Sequence, residues 1–245
     1  MDISLIFYLL LFTVAFLYAS VGHGGASGYL ALMAIYGFAP EVMKPTALLL
    51  NLFVSLTSFI QFYRGKHFNW KIFLPLALAS IPMAFLGGLM SIDAAIYKKI
   101  LGVLLLIPII RFFFFKNTNS DSLKGSSLGL SLLIGGSIGF LSGMIGIGGG
   151  IILSPVLLFL KWTDQKQTAA ISALFIFVNS LSGLFGQLTK GIHFSSDMIL
   201  MVMIAFAGGL IGAWLGSQRF KQEVLKLILA SALSVAAFKL LFTKA

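Results

Sequence analysis

A chain of 245 residues that is 59% hydrophobic and only 10% charged has too few polar groups to coat a water-exposed surface. With a mean hydropathy of +1.03 it reads as an all-α polytopic membrane protein. Its net charge of +10 is scattered among short connections, which is how membrane proteins set topology and which argues against nucleic acid as a partner; the absence of cysteine excludes disulfides and thiolate metal sites.

The chain opens on "MDISLIFYLLLFTVAFLYAS", which lacks a basic n-region and has Asp2 as its one early charge. It reads as a first membrane helix, about 3–19, rather than a signal peptide. The glycine cluster "GHGGAS" (22–27) follows, then a short apolar segment over 26–39. Segments at 46–63, 72–92 and 96–115 come next, the first ending in "QFYRGKHF" (61–68). The polar stretch "KNTNSDSLKGSS" (116–127) reads as a cytoplasmic linker. Beyond it lie segments at 128–145, 150–162, 169–188, 198–216 and 224–243. The cluster "GIGGGI" (146–151) opens the second of these, and "QLTKGIHF" (187–194) closes the third.

The order therefore repeats. "GHGGAS" matches "GIGGGI", and the two loops share Gln61/Gln187, Arg64/Lys190, Gly65/Gly191, His67/His193 and Phe68/Phe194. Two transmembrane repeats are expected, over 1–115 and 128–245. Segments 26–39 and 150–162 are too short to cross comfortably and read as broken or re-entrant elements, giving 8–10 transmembrane helices. If all ten segments alternate in direction with the N-terminus outside, the inner loops hold Arg64, Lys66, Lys71, Arg111, Lys116, Lys124, Lys161, Lys166, Arg219, Lys221 and Lys226. The outer loops hold Lys44, Lys98, Lys99, Lys190 and Lys244. Leaving the two short segments out of the alternation erases this bias, so the positive-inside rule favours ten alternating segments and hence inverted repeats. Secondary transporters are often built that way, with the substrate at the repeat interface.

At membrane depth an unwound glycine stretch must be satisfied by protein or by a watery cavity. It exposes backbone N–H groups, and the half-helix after it presents a positive N-terminal end, which favours anions. Gly22, His23, Gly24, Gly25 and Ser27 in the first half, and Gly146, Gly148, Gly149 and Gly150 in the second, are thus candidate substrate-binding residues. All seven acidic residues (Asp2, Glu41, Asp93, Asp121, Asp164, Asp197, Glu223) fall at segment ends or in loops. A cation carrier needs a carboxylate inside the span; an anion site excludes one. Asn51 and Asn179 are the best side-chain donors at depth, and Gln61 and Gln187 would line the approach. The two asparagines do not align in the repeat. His23 is the one ionisable group in either cluster and has Ile147 opposite it, so any proton role would be asymmetric.

Three other readings compete. Gly146 and Gly148 begin a G-x-G-x-x-G dinucleotide fingerprint, but Ile151 stands where the third glycine belongs. "GASG" (25–28) matches the serine motif of rhomboid proteases and would make Ser27 a nucleophile, but no later apolar segment carries a histidine in its interior. No P-loop is present, so no ATPase is expected. The ridges Gly135/Gly139/Gly143 and Gly208/Gly212/Gly216 read as helix packing, with a homodimer face as the other use.

"GMIGIGGGIILSPVLL", the related "VGHGGASGYLALM" and the paired G-x-H-F loops resemble the TauE/SafE family of sulfite and sulfonate exporters, across essentially the whole chain. The first copy departs from the motif at His23 and Ala26 and has no counterpart of Pro155. The resemblance implies a bacterial inner-membrane permease for small sulfur-containing anions, without a cofactor. The expected mechanism is alternating access, with Gly22–Ser27 and Gly146–Ile151 cradling the anionic head. A passive anion channel, or a carrier of another small anion, is the alternative.

Overall fold

The computed structural model describes residues 5–20, 23–114, 123–191 and 195–218. Among these the chain is all-helical: α1 (Leu5–Ser20), α2 (Ala26–Ile35), α3 (Pro40–Arg64), α4 (Trp70–Leu89), α5 (Ala94–Phe114), α6 (Leu128–Ile145), α7 (Gly150–Phe159), α8 (Gln165–Leu188) and α9 (Ser196–Gln218). Gly22, most of the linker, His193 with Phe194, and the segment 224–243 lie outside the described residues.

Five helices (α3, α4, α6, α8 and α9, the last over Ser196–Leu215) are long and apolar enough to cross a bilayer. Their outward faces are aliphatic: Leu78 is 68% exposed and Leu133 66%. Lipid is the solvent such faces require. At the α3–α4 turn, Tyr63, Phe68, Trp70 and Phe73 stack edge to edge, with Tyr63 and Trp70 exposed, as aromatic residues do at a membrane interface.

α2 and α7 hold 10 residues each. At 1.5 Å per residue they reach about 15 Å, half the hydrocarbon core. α3 starts at Pro40, earlier than the apolar stretch from 46 suggests. Pro40 fills the first helical turn, where its missing N–H costs nothing, and the polar Glu41 and Lys44 are drawn into the helix. α8 likewise starts early, because Asp164 caps it by accepting from the Gln167 N–H at 2.8 Å.

The tightest packing joins elements from the two halves of the chain. Gly135, Gly139 and Gly143 of α6 lie against the carbonyl oxygens of Leu76, Ser80 and Ala84 of α4, with no room for a Cβ. Both series advance together, so α4 and α6 run parallel. Ser182 donates to the Ile81 carbonyl at 2.5 Å and Gly186 meets Phe85, so α8 runs with them. Gly208 and Gly212 of α9 meet the carbonyls of Phe12 and Phe16 of α1, again in parallel. Phe206 and Gly209 of α9 meet Phe53 and Val54 of α3. Gly135, Gly139, Gly143, Gly208 and Gly212 are thus used for helix packing within the chain.

Two trios of parallel helices result, α1/α3/α9 and α4/α6/α8, each drawing on both parts of the sequence, with α3 packed more extensively on α8 than on α1 or α9. They meet where α3 crosses α8. There Asn51 pairs with Ser180 and Leu48 with Gly183, so these two helices run in opposite senses. α1 and α3 run in the same sense, and α2 returns the chain between them. The senses of α1, α3, α4, α6, α8 and α9 therefore match an alternating chain, although α2 and α7 are only half-length.

Candidate functional site

The two glycine clusters come together at the α3–α8 crossing. Gly25 caps α2 in the left-handed region (φ 93°) and Gly149 caps α7 in the same way (φ 78°). A side chain at either would be strained, which is why the sequence places glycine there. Neither helix has a side-chain cap. In the turns, His23 N–H donates to the Tyr18 carbonyl and Gly146 N–H to that of Ser142; among the described residues the N–H groups of Gly24, Gly25, Gly148 and Gly149 have no acceptor.

Asn51 stands between the clusters. A Cβ built on Gly24 would lie 2.9 Å from Asn51 Oδ1, and one on Gly148 would lie 2.5 Å from Asn51 Nδ2. Ile176 touches the same two glycines from α8 and also flanks Gly150. Asn51 is the twelfth residue of α3 and Ile176 the twelfth of α8. The counterpart of Asn51 is thus Ile176 and not Asn179, which resolves why the two asparagines fail to align.

Unmet polar atoms collect here. Asn51 donates to Ser180 Oγ at 3.2 Å, but its Oδ1 is buried without a partner. Tyr29 OH, beside Gly25, and Ser142 Oγ, beside Gly149, are also buried and unpaired. Such groups cost about 1–3 kcal/mol each when left unmet, so a cluster of them marks a place built for something else. The four acidic residues among those described (Glu41, Asp93, Asp164, Asp197) all stand at or just before a helix start, away from this point.

His23 reaches across the molecule. Its Nε2 lies 3.2 Å from Ser154 Oγ of α7, which in turn lies 2.8 Å from Ser172 Oγ of α8 and bonds the Gly150 carbonyl at 2.8 Å. The first glycine break is thereby fastened to the second half-helix. Ser27 Oγ is bonded to Tyr18 OH at 2.7 Å, within the α1–α2 hairpin.

The remaining sequence candidates sit elsewhere. Asn179 is buried but donates to its own helix at the Phe175 carbonyl, 2.8 Å away, with Oδ1 unpaired. Gln61 is half-buried ten residues beyond Asn51, about 15 Å along α3. Gln187 is buried in the last turn of α8 with Nε2 unpaired. The sequence reading passed over Tyr29, whose hydroxyl hides in an apolar run, and treated Lys44 as a loop residue, whereas it is buried in the first turns of α3. The unusual pairing of a lysine with two flanking prolines at a helix start was the available signal.

The family profile described as sulfite exporter TauE/SafE matches residues 7–240. A probable membrane transporter protein of Sinorhizobium fredii is 37% identical over 235 residues, covering 94% of this chain and 95% of that one. Another, from Bacillus subtilis, is 28% identical over 244 residues, covering 90% and 92%. A third, from Methanocaldococcus jannaschii, is 32% identical over 147 residues, covering 59% and 55%. No solved structure matches the chain.

Proposed function

The chain belongs to the sulfite exporter TauE/SafE family and is a multi-pass membrane transporter, and we propose that it is a secondary carrier of small sulfur-containing anions such as sulfite or an organosulfonate. The observation that carries this reading is the meeting of both glycine breaks at Asn51, with unanswered N–H groups and no carboxylate nearby. An anionic head with several acceptor oxygens suits converging N–H groups and half-helix N-termini. The second N–H of Asn51 Nδ2 and the Tyr29 and Ser142 hydroxyls, beside Gly25 and Gly149, add donors along the two breaks, and Ile176 supplies an apolar wall.

Alternating access follows from the opposed senses of α3 and α8, which support inverted repeats. The moving bodies are the two trios rather than the two sequence repeats. Backbone-to-backbone glycine contacts lock α4 to α6 and α1 to α9, so motion concentrates at the α3–α8 crossing, where the site lies. The basic connections favour the linker side as cytoplasmic, which puts the Lys44 end outside. Export is the direction the family description favours.

Thermal stability of the purified protein tests the substrate class. Sulfite, sulfoacetate, taurine, sulfate and acetate are compared. A true ligand at a hundred times its Kd adds about 2.7 kcal/mol. Selective stabilisation by a sulfur anion, lost in Asn51→Asp, is expected; equal response to every anion, or to none, overturns the reading. Counterflow in proteoliposomes separates a carrier from a channel, because only a carrier shows it.

A further inference from the structure

The register that sets Asn51 against Ser180 and Leu48 against Gly183 continues one turn outward and brings Lys44 opposite Gln187. Both side chains are 4% exposed. The Lys44 ammonium lies 4.9 Å from the centroid of the Tyr97 ring. Tyr97 is held by its own hydroxyl, which donates to the Ile145 carbonyl at 2.8 Å, the last residue of α6 before the second glycine break. A Cβ on Gly146, the first residue of that break, would lie 3.1 Å from the Lys44 Cα. Lys44 thus leans on the outer shoulder of the break.

Among the described residues no ion pair answers these groups. Lys44 has no ion pair and no hydrogen bond there. The exposed carboxylate of Glu41, three residues earlier, is felt at Lys44 as a favourable charge but is not paired with it. Gln187 Nε2 is buried without an acceptor. Lys190, in the turn after α8, adds a second positive charge felt at Lys44, and its ammonium donates to Ser91 Oγ at 3.3 Å. Lys190 is exposed, and partial desolvation lowers its pKa. A ring face softens a buried ammonium but does not replace a counter-ion. The corresponding place in α8, its fifth residue, is the buried Ala169, which brings no polar group. The buried unmet atom of Gln187 is a donor, and it lies at the end of α8 opposite the unpaired Lys44 ammonium, so the ligand that fits is an oxyanion.

We propose that the Lys44 pocket is a second oxyanion-binding station, separate from the glycine site, in which the Lys44 ammonium and the Gln187 amide N–H hold the anion and Lys190 draws it in. The proposal rests on the anion-carrier reading and adds a waiting position on the route. The attraction of Lys44 and Lys190 raises the local anion concentration at the mouth, and a station that binds too tightly would trap its cargo, which one flexible ammonium avoids.

Sulfite flux is measured in nanodisc-matched proteoliposomes of neutral lipid for wild type, Lys44→Met, Lys44→Arg and Gln187→Leu, with Gly37→Ala as a distant control. Lys44→Met raises KM for sulfite about tenfold or more with the maximal rate changed less than threefold, since a charged hydrogen bond is worth at least that factor. Lys44→Arg restores most of the affinity, and Gln187→Leu gives a smaller rise. Unchanged KM in Lys44→Met and Gln187→Leu overturns the station and leaves the carrier reading standing. If Lys44→Met fails to fold, as judged by size-exclusion and melting, Gln187→Leu decides on the same criterion. A wild type that moves no sulfite and no sulfonate overturns both. A KM effect that appears only when phosphatidylglycerol is added assigns the pocket to a lipid headgroup and overturns its place on the transport route.

Discussion

Asn51 is the residue on which both glycine breaks converge, and its chemistry makes the sharpest test. Asn51→Asp keeps the shape and adds a negative charge in a poorly solvated place; anion affinity should fall by more than tenfold while the melting temperature moves little. Gly148→Ala tests the backbone instead. At φ 74°, with its Cβ 2.5 Å from Asn51 Nδ2, the variant should lose about 2–4 kcal/mol of stability together with transport. Gly37 is the contrast, since it also has positive φ (78°) but nothing within 4 Å. Gly37→Ala should cost about 1–2 kcal/mol in a melting experiment and leave transport intact. At this scale the glycines and Asn51 were legible, because glycine in apolar surroundings is a local signal. Tyr29, Ser142 and Ile176 were not, because their importance comes from what lies opposite them in space. Gln61 and Gln187 looked alike in the sequence but fall at the far ends of α3 and α8.

Among elements, the membrane spans were legible and their ends were not. Apolar runs set the spans of α4, α6 and α9, whereas α3 and α8 begin in polar sequence, α3 because a proline and the burial of Lys44 extend it and α8 because Asp164 caps it. The half-length of α2 and α7 was visible in the sequence, since turn residues follow closely on each. The partners of the helices were hidden: the spacing of Gly135, Gly139 and Gly143 announces a close contact but does not say with which helix. The structure assigns it to α4. Gly139→Ala puts a methyl group onto the Ser80 carbonyl. It should lower stability by about 1–3 kcal/mol in detergent, with affinity for sulfite unchanged in the folded fraction.

At the scale of the whole molecule, the repeat is read in the sequence, but the two helix trios, which we propose as the moving units, cut across it. Two crosslinks separate these views. The chain has no cysteine, so engineered pairs are free of background. A Cβ on Gly136 lies 3.8 Å from that of Ala79, within disulfide range, and this pair joins α6 to α4 inside one trio. Gly136→Cys with Ala79→Cys, oxidised, should leave sulfite flux within twofold of the reduced protein. Leu48→Cys with Gly183→Cys, joined across the α3–α8 crossing, should stop flux until reductant is added. Arrest by the first pair, or flux through the second, would place the hinge elsewhere.

The contact of α1 with α9 also bears on how the protein is made. Phe12 meets Gly208 and Phe16 meets Gly212, partners separated by nearly two hundred residues of chain. At a synthesis rate of roughly 5–20 residues per second, α1 waits about 10–40 s before its groove is filled. Through that interval the nascent chain holds an open, small-residue-ready face in the bilayer, and the first part of the protein has no finished fold to settle into. The seam that α9 closes therefore faces lipid for that interval, until α9 arrives.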